Sequence, residues 1–235
     1  MPSTKDETEK TKNRIIEVAT KRFSAVGFDA TRVDDIAKDA GINKALIYYY
    51  FKSKEDILNH LIERLFDDIS SIVMEFIKNN IVPMLEKGQL DVHRDHWTFI
   101  SVADAQTYHD ALMRYYEKIV DFTLSHRRII RILIFESLKS GKHHSALFYL
   151  QDLIYNREKS LFYQTVWNPD QELTYSSDHI VFKFFFGFIP IFNFAAYFDD
   201  YVASDNMEEI ELRASFLRAY QKMESALFNG KDIIL

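Results

Sequence analysis

The segment from Asp34 to Leu58 reads DDIAKDAGINKALIYYYFKSKEDIL, and two short helical patterns in it flank Gly41. Glycine adopts a left-handed backbone at no steric cost, so the first helix can end there. Asn43 is a good N-cap for the second helix, because its side chain can accept a hydrogen bond from a free amide. Ala37 is small where the two helices would cross most closely. The pattern predicts a helix-turn-helix.

Residues on both sides extend this pattern at nearly all of the expected spacings. The matching positions are Ile15, Ile16, Ala19, Phe23, Gly27, Phe28, Thr31, Val33, Ile36, Ala37, Ala40, Gly41, Ile42, Tyr48, Tyr50, Phe51 and Lys54. On these residues, the first quarter of the chain resembles the DNA-binding domain of the TetR family of bacterial transcriptional regulators. Beyond about residue 60 no family motif is recognised.

The resemblance implies an all-α fold with two parts. Residues 1–54 would form a three-helix DNA-binding domain, and residues 55–235 a helical domain for effector binding and dimerisation. It implies a homodimeric repressor that a small hydrophobic ligand releases from a palindromic double-stranded DNA operator. Such a regulator performs no catalysis and needs no cofactor.

The resemblance also implies which side chains contact DNA. On a helix, Ile47 and Phe51 face the domain core, whereas Ala45, Leu46 and Tyr49 face the major groove. Lys54 would bind a phosphate at the start of the next helix, where Ser53 and Asp56 form a capping box. The complete predicted DNA-binding set is Thr31, Arg32, Lys44, Ala45, Leu46, Tyr48, Tyr49, Tyr50 and Lys54.

Three positions depart from the family pattern. Arg32 replaces the second of two hydroxyl residues, so Thr31 either caps one residue early, paired with Asp34, or leaves the cap to water. Ala45 and Leu46 replace a glycine and a hydroxyl residue in the recognition helix. Leu46 cannot form a hydrogen bond but can contact a thymine methyl group. The operator sequence therefore cannot be transferred from a relative.

Composition and charge agree with a regulator. The 235 residues include no cysteine, which excludes disulfides and thiolate metal sites, and a charged N-terminus without an apolar stretch predicts a cytoplasmic protein. The net charge is −6, but residues 1–55 alone carry 11 basic and 9 acidic side chains. DNA affinity depends on such local cations rather than on the balance of the whole chain.

The remaining chain is predicted to be helical. One connector helix is expected from about Lys54 to Asn79, followed by a loop or broken helix from Asn80 to Asp95. The later predicted helices are Tyr108–Ser125, Arg128–Lys139, His144–Val166, Ser176–Tyr201 and Met207–Phe228. By the resemblance, the last two helices pair with their symmetry mates in a dimer.

The segment from Ile180 to Phe198 is apolar enough to raise the alternative of a membrane-spanning helix. Lys183, Asn193 and Pro190 lie within it, and no Lys/Arg bias flanks it. A buried helix is also apolar on all sides. The segment is therefore interpreted as a core and interface helix, and no membrane partner is expected.

Aromatic residues are frequent, with 20 phenylalanines and 13 tyrosines, most of them beyond residue 60. Their distribution over several helices favours an aromatic-lined ligand cavity, although aromatic side chains at helical spacing usually form core. The candidate ligand-binding residues are Trp97, Tyr108, Tyr115, Phe135, Tyr155, Phe182 and Phe186.

A second hypothesis concerns metal chemistry. Asp91, His93, Asp95 and His96 lie within six residues, and histidines three apart on a helix can share a metal ion. The alternative function is therefore a helical metal-binding protein or enzyme on a helix-turn-helix scaffold. The spacing matches no known hydrolase signature, so no metal site is assigned.

Overall fold

A computed structural model describes residues 4–93, 96–149, 152, 176–205 and 207–234. The first three helices are α1 (Thr4–Val26), α2 (Val33–Asp39) and α3 (Lys44–Tyr50). Ile15, Ala19 and Phe23 recur on one face of α1 and are buried, and they form one cluster with Ile36 and Ile47. The helix-turn-helix prediction is confirmed in these elements.

The turns and caps of this region follow the local sequence. Gly41 has a φ of 62°, in the left-handed region, and its successor helix α3 begins with the predicted cap. The Asn43 side chain accepts a hydrogen bond from the Leu46 amide at 2.8 Å. The Ser53 hydroxyl accepts one from the Asp56 amide at 3.1 Å. These bonds satisfy amides that helix formation leaves without partners.

Of the two alternatives for Thr31, the early cap is not observed. Arg32 is the N-cap residue of α2, and its side chain makes no capping hydrogen bond. The Thr31 hydroxyl instead donates to the Gly27 carbonyl at 2.8 Å, and only 1% of Thr31 is exposed. The Thr31 hydroxyl is therefore bonded within the α1–α2 loop and is not available to cap α2.

The connector helix α4 (Lys54–Phe76) is present as predicted, but the chain does not become a loop after it. A π-helical segment (Ile77–Ile81) and a short helix α5 (Val82–Glu86) follow directly. Pro83 has no amide proton to donate to the carbonyl four residues before it, and the wider π turn accommodates this. Of the two alternatives predicted for Asn80–Asp95, the broken helix therefore fits as far as Glu86, whereas the strand that begins at Leu90 was not predicted.

The C-terminal part contains four of the five later predicted helices, with shifted ends. Their observed bounds are α6 (Val102–Ser125), α7 (Arg127–Ser137), α8 (Ser177–Phe182), α9 (Ile189–Asp205) and α10 (Glu209–Ser225). A second π-helical segment (Lys183–Phe188) joins α8 to α9 just before Pro190. The predicted helix His144–Val166 lies mostly outside the described residues, and residues 141–147 form turns.

A small antiparallel sheet was not predicted. Its strands are β1 (Leu90–His93), β2 (His96–Phe99), β3 (Phe228–Asn229) and β4 (Asp232–Ile234), in the order β1-β2-β4-β3. Trp97 of β2 lies opposite both Val92 and Ile233. The final helix ends at Ser225, before the predicted Phe228, which lies in strand β3 instead. The mainly helical fold class is nevertheless confirmed.

Two hydrophobic clusters form the core. The first joins α1–α3 to buried residues of α4, α7 and α9, including Leu133 and Phe192. The second lies between the π segment after α4, the sheet, α6, α9 and α10. Packing thus crosses the predicted boundary between residues 54 and 55, and that division stays a prediction.

The helical stretch Ser177–Asp205 has the length and composition of a membrane span, and it is the one such helix among the described residues. About a third of its most apolar window, 33%, is buried inside the protein. Several of its other apolar side chains, including Phe185, Phe186 and Tyr197, are more than half exposed.

Replacing Gly41 with alanine tests the turn between α2 and α3. Because Gly41 lies in the left-handed region, Gly41→Ala should lower the free energy of unfolding by about 1 kcal/mol, measured by urea titration. Gly141 also has open space around its Cβ position but no positive φ. Gly141→Ala should be neutral or slightly stabilising, and an equal loss in both variants would contradict the backbone explanation.

Candidate DNA-binding surface and ligand cavity

The outer face of α3 presents a cluster of polar and aromatic side chains. Ile47 is fully buried, whereas Lys44 and Ala45 are exposed. Tyr49 has 76% of its surface exposed and Tyr48 has 49%. A large aromatic residue this exposed is available to contact a partner. Leu46 and Tyr50 are partly buried at the edges of this face.

Two contacts hold the exposed face in place. The Tyr49 ring meets the Tyr50 ring edge to face, with centroids 5.0 Å apart. The Lys44 ammonium lies 3.0 Å from a carboxylate oxygen of Asp34, linking α3 to α2. This hydrogen bond to Asp34 raises the pKa of Lys44. Lys44 is therefore positively charged at neutral pH and positioned on the surface that would approach phosphates.

The two loop residues of the predicted DNA-binding set, Arg32 and Thr31, differ in their exposure. Arg32 is exposed at the start of α2 and can reach a phosphate. Thr31 is buried and bonded to the Gly27 carbonyl, so its side chain is not on the surface. A contact from its side chain would require the loop to rearrange.

Lys54 has a role that the sequence did not indicate. Its ammonium donates to the Phe28 carbonyl at 2.6 Å and to the Thr31 carbonyl at 2.9 Å, and it lies 4.2 Å from the centre of the Phe28 ring. These contacts tie the start of α4 to the α1–α2 loop. A phosphate contact from Lys54 would require the ammonium to leave these carbonyls.

The same loop is tied to the C-terminal part of the chain. Asp29 forms an ion pair with Lys139 at 2.8 Å, and Lys139 also bonds Glu136 at 2.6 Å. The Lys139 ammonium lies 4.6 Å above the Phe135 ring. Phe135 is 58% exposed beside this bridge and is not among the residues that line the cavity described below.

A cavity of about 180 Å³ lies within the second hydrophobic cluster. Of the predicted ligand-binding residues, Trp97, Tyr108 and Tyr115 line it. Phe182 and Phe186 do not line it; their rings stack on each other 5.3 Å apart, away from the cavity. Tyr155 lies outside the described residues.

Polar groups that sequence reasoning missed lie on one wall of the cavity. The Glu224 carboxylate on α10 accepts a hydrogen bond from the Tyr116 hydroxyl at 2.9 Å and lies 3.5 Å from the Lys183 ammonium. The Tyr220 hydroxyl donates to the Gly187 carbonyl at 2.9 Å. A usable signal was present: Lys183 interrupts the most apolar segment of the chain, and Glu224 lies one turn from Tyr220.

Burial raises the pKa values of the cavity tyrosines. Desolvation is the main cause for Tyr108, Tyr115, Tyr116 and Tyr220, and the charge of Glu224 adds to it. All four phenols therefore stay protonated at neutral pH. The Tyr116 and Tyr220 hydroxyl protons are already donated to Glu224 and to the Gly187 carbonyl, so these tyrosines contribute aromatic faces to the cavity and no negative charge.

His93 and His96 do not lie on a helix. His93 ends β1, His96 begins β2, and the two are register partners in a hairpin. Among the side chains that the structure describes, no three His, Cys, Asp or Glu residues are grouped to hold a metal ion. The side chains of the His93–His96 segment lie outside that set, so the metal alternative stays a hypothesis.

Comparison with known proteins extends the sequence resemblance. Residues 15–61 match the family model of bacterial regulatory proteins of the tetR family. The chain carries a TetR-family N-terminal domain. The predicted resemblance is thereby confirmed for the region that contains the helix-turn-helix.

Curated relatives share this N-terminal region. The negative transcriptional regulator IcaR of the biofilm operon icaADBC in Staphylococcus aureus (strain Newman) is 43% identical over 63 residues, which are 27% of this chain and 34% of IcaR. The probable regulator YttP of Bacillus subtilis (strain 168) is 39% identical over 80 residues, 34% of this chain and 38% of YttP. The chain thus spans about a third of the length of these relatives.

Solved structures extend the similarity in fold over nearly the whole chain. A TerR/AcrR-family transcriptional regulator from Aquifex aeolicus VF5 covers 91% of this chain and 99% of its own, with a TM-score of 0.54 and 18% identity. FadR of Bacillus subtilis in complex with stearoyl-CoA covers 88% and 96%, with a TM-score of 0.50 and 16% identity. At this identity the likeness establishes the TetR-like fold alone.

A substitution at Lys54 tests its structural role. Lys54→Met keeps the length of the side chain but removes the charged hydrogen bonds to the loop carbonyls. It should lower the free energy of unfolding by about 1–3 kcal/mol, measured by urea titration without DNA. Lys52→Met removes an exposed neighbouring charge and should change stability little. Unchanged stability of Lys54→Met would show that the loop does not depend on this clamp.

Proposed function

We propose that the chain is a DNA-binding transcriptional repressor that acts as a homodimer and leaves its operator when a small hydrophobic ligand binds. The exposed aromatic face of α3, held by a helix-turn-helix core, is the observation that carries this proposal. Similarity to a negative regulator, IcaR, supports repression. Such a protein performs no catalysis and acts in the cytoplasm, where bacterial DNA is located.

The groove-facing residues follow from the exposure of α3. Tyr49 and Tyr48 would contact bases, and Ala45 and Leu46 would make apolar contacts in the major groove. Lys44 and Arg32 would contact phosphates, which position the helix without reading sequence. Nearby anions are also present, since Asp34 pairs with Lys44. This arrangement supports site-specific binding of moderate affinity over general coating of DNA.

Dimerisation would explain the exposed apolar face near the C-terminus. On α8, α9 and the π segment between them, Val181, Phe185, Phe186 and Tyr197 are each more than half exposed. Ile210 at the start of α10 is 84% exposed. A two-fold contact between the last long helices would bury this face in both protomers. A dimer in turn matches an operator with two half-sites, one helical turn or ~35 Å apart.

Helix α4 offers a direct route from ligand to DNA. Ile69, Val73 and Phe76 of α4 line the cavity, while Ile57 and Leu58 at its other end are buried against the DNA-binding helices. A ligand that favours another position of α4 would change the separation of the two α3 helices. The ligand would weaken operator binding by at most the difference between its binding free energies for the two arrangements.

The function itself is tested with the DNA upstream of the protein's own gene. Fluorescence anisotropy at physiological salt, with random competitor DNA, should show tight binding to a two-fold symmetric site. Equal affinity for the upstream and random sequences would contradict a site-specific regulator acting on its own gene.

Replacing Tyr49 tests the groove-facing surface. Tyr49→Ala should weaken specific operator binding by about 1–3 kcal/mol because base contacts would be lost, with a smaller effect on random DNA. Ile100→Ala removes another large apolar side chain, 64% exposed between β2 and α6, and serves as the matched control. If Tyr49→Ala and Ile100→Ala both bind the operator as tightly as the wild type does, the outer face of α3 does not contact the major groove as proposed.

Replacing Tyr197 tests the dimer. Tyr197→Glu would bury a charge in the proposed two-fold contact, so the protein should become monomeric in light-scattering measurements at micromolar concentration. Ile100→Glu introduces the same charge outside that face and should leave the dimer intact. A wild type that is monomeric, or a Tyr197→Glu variant that remains dimeric, would rule out this interface.

A further inference from the structure

Glu224 places a carboxylate in a cavity whose lining is otherwise mainly apolar. Only 1% of Glu224 is exposed, and it lines the cavity together with Lys183 and His179. Its Oε2 atom accepts from Tyr116 and lies near Lys183. Its Oε1 atom has no hydrogen-bond donor among the described residues. A buried acceptor of this kind lacks the hydrogen bonds that water gives it in the unfolded chain.

The charges around Glu224 restrict what could satisfy it. Lys183, 3.5 Å away, already balances the carboxylate, so the pair is neutral without a further ion. A cationic ligand would leave an excess positive charge in an apolar cavity, which is costly. An anionic group would be repelled by Oε1, the atom that needs a donor. An uncharged O–H or N–H group satisfies Oε1 without either cost.

The size and lining of the cavity limit the size and chemistry of the rest of the ligand. An engineered protein cavity of about 150 Å³ binds benzene, so about 180 Å³ accommodates one substituted ring. Trp97, Tyr108 and Tyr115 also line the cavity and give it an aromatic surface. Aromatic rings pair favourably in offset or edge-to-face arrangements.

We propose that the effector is an uncharged, one-ring-sized apolar molecule with a single hydrogen-bond donor, which it gives to Glu224 Oε1. This assignment rests on the proposed function, in which the cavity is the effector site. The assignment disfavours acyl-CoA as the effector, because the head group of acyl-CoA carries several negative charges. In this it differs from Bacillus subtilis FadR, a protein of similar fold whose structure contains stearoyl-CoA.

A matched series of compounds tests the proposal on the unmodified protein. Isothermal titration calorimetry at pH 7 would compare 4-ethylphenol with ethylbenzene, 4-ethylbenzoate and 4-ethylbenzylamine, which differ only in the polar group. We expect 4-ethylphenol to bind at least about ten-fold more tightly than each of the others, as for a hydrogen bond to a charged group. Equal binding of ethylbenzene, or tighter binding of the anion or cation, would overturn the proposal.

Variants of Glu224 identify the atom involved. Glu224→Gln keeps the shape but can present an amide donor instead of Oε1, so the preference for 4-ethylphenol over ethylbenzene should disappear. Glu209→Gln makes the same change at an exposed position in the first turn of α10 and should keep the preference. Circular dichroism checks the fold of each variant, and the compound series on the wild type decides the matter if Glu224→Gln does not fold. A preference retained by folded Glu224→Gln would exclude Glu224 as the recognising group.

Operator binding is measured separately from calorimetry, so the two proposals fail independently. Specific DNA binding without preference for 4-ethylphenol would refute the ligand assignment and leave the repressor intact. The reverse result would keep the cavity chemistry and refute the repressor.

Discussion

Helix α4 is packed into two hydrophobic cores at once, and the rest of the structure depends on this. Its first four turns are buried with the DNA-binding helices, and the π segment that continues it is buried with α6 and the sheet. A protein interior is close-packed, so α4 cannot shift at one end without repacking at the other. The two parts of the chain are therefore mechanically coupled, even though only the first part carries the family's sequence motif.

Charged contacts add a second connection between the two parts. Lys54 at the start of α4 holds the α1–α2 loop by its carbonyls, and Lys139 after α7 holds Asp29 of the same loop. The Lys139–Asp29 pair is exposed on the Asp29 side, so its energy in water is small. The Lys139–Asp29 pair orients the loop that precedes α2, whereas the buried contacts provide the stability.

The parts of this structure that could be predicted from sequence are those fixed by local chemistry. Gly41, Asn43 and Ser53 determine a turn and two caps through bonds to residues at most three positions away. The sheet was missed because its strands have two to four residues, too few for alternation to stand out, and because β4 pairs with β2 across more than 100 residues. The burial of Thr31 was not predicted, because the loop that contains it is held by Lys54, 23 residues further along the chain.

The lining of the cavity could likewise be predicted only in part from the sequence. An aromatic-rich helical domain predicted a cavity, and three of the proposed residues line it. The polar wall was not predicted, because an acidic residue in an amphipathic helix such as α10 is usually exposed to solvent. Only the fold brings Glu224 beside Lys183 and Tyr116, which come from two other helical segments.

The placement of this polar wall links ligand recognition to the proposed dimer. Lys183 and Glu224 belong to the helices that would form the two-fold contact, whereas Ile69, Val73 and Phe76, which also line the cavity, belong to α4. A ligand hydrogen-bonded to Glu224 would be anchored to the interface helices, and its ring would press against α4. In the proposed dimer the interface helices would be the fixed reference, so α4 would be the element that moves. In this arrangement the polar group of the ligand would set its affinity, and the apolar body would determine how far α4 moves.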